Sequence, residues 1–135
     1  MPVNGTPVSF EALSLGCSLA KRSKGKVYAV YVIEVARTLA LDAELSVEAT
    51  TAEEVLQRAE TIAEETDTKI EGEILQARDA GHAIVDEAIE RDVSAIVMGV
   101  GYDRPLGEFE MGQTARYVID HATCQVILLR AAFQE

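Results

Sequence analysis

Apolar positions along the chain follow two alternating rhythms. Lys26 to Val35 (KVYAVYVIEV) is almost continuously apolar, rich in β-branched and aromatic residues, and follows the turn-prone Lys24-Gly25, which predicts a buried strand. Lys69 to Ala77 (KIEGEILQA) alternates apolar and polar residues, as a strand with one solvated face does at a sheet edge. Ser94 to Val100 and Gln125 to Arg130 are unbroken apolar runs of the kind covered on both faces. Between these runs the spacing becomes helical: Phe10, Leu13, Cys17 and Ala20; Val55, Ala59 and Ile62; Ile84, Val85, Ala88 and Ile89; Ala115, Val118, Ile119 and Ala122. Gly81 and Gly112 precede the third and fourth stripes and predict tight turns feeding helix N-termini. Ala36 to Thr51 reads as a loop, with Thr50-Thr51 and Glu53-Glu54 opening the second helix. Strand and helix in alternation predict an α/β fold with right-handed crossovers and a parallel sheet covered on both faces.

Length and composition narrow the class. A chain of 135 residues with 48% hydrophobic content is expected to form a single domain over residues 1–135. Its apolar runs fall far short of the roughly 20 residues a spanning helix needs, and no charged-then-apolar leader marks it for export. A cytoplasmic protein without membrane insertion is the expectation. Twelve Lys and Arg against 23 Asp and Glu give a net charge of −11, which repels a phosphate backbone and argues against nucleic acid as a partner. Cys17 and Cys124 stand in no Cys-x-x-Cys pair, so neither a metal nor a redox motif is present, and both read as small reduced core residues. His82 and His121 lie far apart with no nucleophile or acid motif around them and read as solvated or capping imidazoles.

The opening is short for its role. Met1-Pro2-Val3-Asn4-Gly5-Thr6-Pro7 has the turn chemistry that ends a strand, yet only about three residues of strand precede the turn, against a usual 5–6. Residues missing upstream are the expected explanation, and restoring about four apolar residues there is expected to raise the melting temperature.

Four segments carry a resemblance. Val3-Asn4-Gly5-Thr6 leading into Phe10-Glu11-Ala12-Leu13, Ala95-Ile96-Val97-Met98-Gly99, Leu106-Gly107-Glu108-Phe109 with Gly112 and Tyr117-Val118, and Ala122-Thr123-Cys124-Gln125-Val126 together resemble the universal stress protein family in order and almost end to end. Asn4 stands where that family has aspartate, and Thr123 where it has proline. The resemblance implies an open five-stranded parallel sheet in the order 3-2-1-4-5, its first strand shortened here. Ligands of open α/β sheets bind beyond the strands' carboxyl ends where the winding reverses, which in this order lies between strands one and four.

Nucleotide-binding members of the family carry Gly-x-x-Gly, nine residues, then Gly and a hydroxyl residue. Here Gly99 and Gly112 match, while Tyr102 takes the second glycine's place and Gln113 the hydroxyl's; Gly101 and Thr114 stand one residue away from the two lost positions. A tyrosine at a glycine-only dihedral would be strained. The resemblance thus assigns a nucleotide site to Pro2, Val3, Asn4, Val30, Val32, Met98, Gly99, Gly101, Tyr102, Gly112, Gln113 and Thr114. Adenine is expected near Asn4, Val30 and Val32, with phosphates at the N-terminus of the last helix. Asp103, Glu108 and Glu110 crowd the same loop against Arg104, with Arg116 a turn into the helix. One carboxylate about 6 Å from a phosphate charge costs on the order of 3 kcal/mol at an effective dielectric near 20.

Three functions follow from these expectations. One is a stress-response regulatory domain binding ATP or AMP, without catalytic residues and with slow ATP hydrolysis left open. Another is a nucleotide-free interaction module attached to a partner such as a transporter or kinase. The third, an enzyme of the related nucleotide hydrolases, lacks the Ser-Gly-Gly-x-Asp-Ser and His-x-Gly-His signatures it would need. A homodimer paired through the apolar last strand, Gln125 to Leu129, is expected in either of the first two.

Overall fold

Local chemistry sets the first helix. The Thr6 hydroxyl oxygen accepts from the Ser9 N–H at 3.3 Å and Pro7 occupies the first turn, where its missing N–H costs nothing. Lys24, left-handed at φ 58°, ends α1 (Pro7–Ser23), and the Gly25 N–H closes back on the Ala20 carbonyl at 2.9 Å. The remaining elements are β1 (Val27–Glu34), α2 (Ser46–Glu65), β2 (Ile70–Ala77), α3 (Ala80–Glu90), β3 (Ala95–Val100), α4 (Gln113–His121) and β4 (Gln125–Arg130). They are seen in a computed structural model that describes residues 1–133.

All extended strand pairs are parallel: β1 with β2 from Val27↔Ile70 to Glu34↔Ala77, and β3 with β4 from Ala95↔Gln125 to Val100↔Arg130. Alternation along the strands sorts side chains to two covered faces. Val27 and Ala29 of β1 join Leu13, Cys17, Ala59 and Ala63 in a core under α1 and α2. On the opposite face Ile96, Met98 and Val100 of β3 pack with Ile84, Val85, Ala115 and Val118 of α3 and α4, and Val32 of β1 reaches the same cluster. The α/β architecture with parallel strands is therefore as the hydrophobic pattern predicts.

The sheet is not the continuous five-stranded one implied by the family order. Among the described residues it divides into the pairs β1-β2 and β3-β4, and the expected first strand is a single parallel bridge, Pro2↔Val30. Val3 donates to the Val30 carbonyl at 2.9 Å, and Val30 donates to the Met1 carbonyl at 3.0 Å. Pro2 lacks an N–H and the turn begins at Asn4, which limits the ladder this segment makes with β1.

Two smaller expectations also change. The helix expected to open at Thr50-Thr51 begins at Ser46 instead, and the Thr50 and Thr51 hydroxyls donate to the Ser46 and Val47 carbonyls one turn back rather than capping. Gly81 is no turn. It lies inside α3, capped by the Asp79 carboxylate, where a Cβ would stand 3.0 Å from that of Tyr117, so its role is to let α3 and α4 approach. Ile89 and Ile119, read as parts of apolar stripes, are exposed.

Candidate functional site

Most of the residues singled out in the sequence lie along β1, at the carboxyl end of β3 and at the start of α4. Pro2 makes its bridge to Val30, Val3 is buried and Asn4 is exposed. The Asn4 Oδ1 accepts from both the Thr6 N–H (3.1 Å) and the Thr6 hydroxyl (2.7 Å), which spends its acceptor on building the turn. What Asn4 can offer outward is its NH2. Val30 is buried and Val32 half-buried; Met98 is buried, while Gly99, Gly101 and Tyr102 are half-buried at the strand's end.

Gly99 has a reason to be glycine that the motif did not suggest. A Cβ there would run into the carbonyl of Val8, so the missing side chain seats the first turn of α1 against β3. Tyr102 carries no backbone strain: neither it nor Gly99 nor Gly101 has a positive φ, which corrects the expectation of a glycine-only dihedral at that position. Its ring instead joins a cluster of aromatic and guanidinium groups. Phe109 and Phe133 lie 5.5 Å from it between centroids, and the guanidiniums of Arg130 and Arg104 sit 4.3 and 5.6 Å from its face. Arg130 also covers Phe109 at 5.1 Å, and Arg104 covers Phe133 at 4.7 Å.

Arg130, Phe109 and Phe133 were missed from the sequence. The signal for Arg130 lay in the register, since Val100↔Arg130 puts the last residue of β4 beside the residue that opens this loop. The loop itself folds back as a small hairpin, with Glu110 donating to the Asp103 carbonyl at 2.9 Å and Gly107 to that of Arg104 at 3.2 Å. Asp103, Glu108 and Glu110 are all exposed, so water screens their charge more than a buried carboxylate would allow.

Gly112 caps α4 at φ 83°, a left-handed value that suits glycine, with no side chain capping the helix and open space where a Cβ would project. Gln113 is exposed and Thr114 half-buried in the first turn. Free N–H groups and the positive end of the helix dipole therefore face outward here, the arrangement that attracts an anion.

The chain's titrating groups with displaced pKa lie elsewhere. The Arg91 guanidinium bonds the Glu87 carboxylate at 2.5 Å and that of Glu73, and stacks 4.3 Å over Tyr28; these bonds hold Glu73 below the usual carboxylate range and push Arg91 up. His82 bonds Asp79 and lowers its pKa, and both His82 and His121 stack on Tyr117 at 4.0 Å. Among the described residues no cluster of His, Cys, Asp and Glu could hold a metal, and no helix is long and apolar enough to cross a membrane. Cys17 is buried and Cys124 partly so, and both are free thiols.

A cavity of about 500 Å³ is not at the carboxyl ends of the strands. It lies at their opposite ends, between Val27-Tyr28 of β1 and Ala95–Val97 of β3.

Comparison with known proteins agrees with the fold and the motif order. The model of the "Universal stress protein family" matches residues 1–130. Universal stress protein MJ0531 of Methanocaldococcus jannaschii is 32% identical, across 100% of this chain and 82% of its own. A universal stress protein from Archaeoglobus fulgidus superposes with a TM-score of 0.81 at 27% identity, covering 94% of this chain and 93% of that one. A structure of the universal stress protein from Archaeoglobus fulgidus in complex with dAMP superposes with a TM-score of 0.75 at 23% identity, covering 94% and 92%.

Proposed function

From the premise that this chain belongs to the universal stress protein family, we propose that it is a cytoplasmic regulatory domain that binds an adenine nucleotide, AMP or ATP, without acting as an enzyme. The observation that carries this reading is the open N-terminus of α4. Gly112 presents it uncapped, at the end of the loop that leaves β3 after Val100 through Gly101. A phosphate seated there would accept from backbone N–H groups in the first turn, with Arg104 and Arg130 adding positive charge from the neighbouring loop and strand. Adenine would then lie toward Asn4 and Val32, where the Asn4 NH2 is a donor for a ring nitrogen. The Archaeoglobus fulgidus neighbour solved with dAMP makes adenine nucleotide the ligand class to test first.

The test is calorimetric titration of AMP and ATP into purified protein, after mass spectrometry of the denatured protein for retained nucleotide. Binding of either nucleotide is expected, and it should disappear in Gly112→Val, whose far-ultraviolet spectrum should remain that of the parent. Full nucleotide affinity in Gly112→Val would remove the phosphate seat from the reading.

A second reading, a nucleotide-free dimeric interaction module, draws on the two departures at Tyr102 and Gln113 and on β4, which among the described residues pairs with β3 alone. No binding of AMP or ATP together with a stable dimer would favour it.

A further inference from the structure

Tyr102, in the loop that leaves β3, holds two guanidiniums at once. Arg130, the last residue of β4, lies 4.3 Å from its ring centre and 5.1 Å from that of Phe109, while Arg104 lies 5.6 Å from it and 4.7 Å from that of Phe133. A guanidinium that stacks uses its face, and the N–H donors around its edge stay available. Neither edge is spent here. Among the described residues Arg104 and Arg130 enter no ion pair and donate no hydrogen bond, although Asp103, Glu108 and Glu110 share the loop. Arg91 is the contrast: its guanidinium also stacks, on Tyr28, but its edge is bonded to Glu87 and Glu73.

The pair stands beside the helix N-terminus already described. Phe109 packs against the core cluster that includes Ala115 and Val118 of α4, and it precedes Gly112 by three residues, at most roughly 11 Å of extended chain. Backbone at Gly101 is a poor seat for a phosphate, because the Asp103 carboxylate already lies 3.5 Å from where a Cβ would stand and turns an anion away. Two guanidinium forks are suited to what that backbone cannot do. Each matches the oxygens of a phosphoryl group bidentately, and rings that fix the forks beforehand reduce the entropy lost on binding.

We infer that Tyr102, Arg104 and Arg130 form a clamp for an oligophosphate chain, with Tyr102 as the platform and the two arginines as its arms. The identity of that chain rests on the nucleotide reading above, under which it is the β- and γ-phosphoryl groups of ATP, the α-phosphoryl group taking the N-terminus of α4. The tyrosine in the second glycine's place then changes the loop from a backbone cradle to a side-chain one, and the site prefers ATP to AMP.

The full chain is titrated calorimetrically, in magnesium-free buffer, with AMP, ATP and inorganic tripolyphosphate. ATP is expected to bind at least about tenfold tighter than AMP, and tripolyphosphate to bind and to compete with ATP. In the double variant Arg104→Met with Arg130→Met, whose stems still cover the rings, the ratio of ATP to AMP affinity should fall to about one. Tyr102→Leu leaves both charges but removes the platform, and should lower the ratio at least about threefold; it serves as the test where the double variant loses the parent's far-ultraviolet spectrum. Equal affinity of the parent for AMP and ATP overturns the inference and leaves the nucleotide reading standing. An ATP preference that survives loss of both guanidiniums, or that survives Tyr102→Leu, overturns it as well. Tripolyphosphate held through Arg104 and Arg130 without affinity for either nucleotide keeps the clamp and removes adenine from the reading. If none of the three anions binds, both fall.

Discussion

At the scale of single residues, two glycines of one motif are held for different reasons. Gly112 is glycine for its backbone, φ 83° with open space at the Cβ position. A valine there adds strain of about 1–3 kcal/mol and a branched side chain over the proposed anion seat, but meets no wall. Gly99 is glycine for its neighbour, because any Cβ collides with the Val8 backbone of α1. Gly99→Ala is therefore expected to destabilise the fold by about 1–3 kcal/mol, the usual cost of overpacking, as measured by urea denaturation. An alanine variant as stable as its parent would show that α1 can shift away from β3 at no cost. Only Gly112 was legible beforehand, since a glycine ahead of an apolar stripe is a local signal. The close approach at Gly99 joins two elements distant in sequence, and so does the guanidinium of Arg130 over Tyr102. No window of sequence contains either contact.

At the scale of elements, β1 to β4 were legible to within a residue at each end, β1, β3 and β4 as continuous apolar runs and β2 as an alternating one. The start of α2 was not: Leu45 provides no capping side chain, and Thr50 and Thr51 imitate a cap while bonding back inside the helix. What the elements leave open is an edge. The Gln125 and Ala131 N–H groups donate to the Ser94 and Val100 carbonyls of the β3 side, so by alternation the Val126 and Leu128 N–H groups point away from it. An apolar strand with such a free row invites a second copy across a two-fold axis. A dimer is expected by sedimentation at micromolar concentration, and Leu128→Pro, which deletes one outward donor while sparing those facing β3, should shift it to monomer. A parent chain that stays monomeric at high concentration would leave β4 a solvated edge.

At the scale of the whole molecule, the family order was readable from motif succession, whereas the division of the sheet was not. The N-terminal segment meets β1 through the single bridge Pro2↔Val30, and a sequence pattern reports what side chains want rather than which carbonyls lack a partner. Burial of the Met1 amino group has an electrostatic consequence. The Met1 amino group sits buried in the cleft, bonded to the Tyr28 carbonyl, and burial lowers its pKa from 8.0 to about 6; the nearby Cys17 thiol opposes the shift only in part. Between those values the unfolded chain holds a proton that the folded chain has released, so stability rises with pH through the interval and falls as acid re-protonates the buried amine. Two units correspond to about 3 kcal/mol at most. Asp79 and Glu73, whose pKa values are lowered by His82 and Arg91, titrate in the acid range and contribute nothing to this window. The expected result is greater resistance to urea at pH 8 than at pH 6 for the chain beginning at Met1. Acetylating the α-amino group removes the titrating proton and should flatten most of that difference. An acetylated protein with the same dependence between pH 6 and 8 would mean that the amine is hydrated in solution and that the cleft admits water as far as Tyr28.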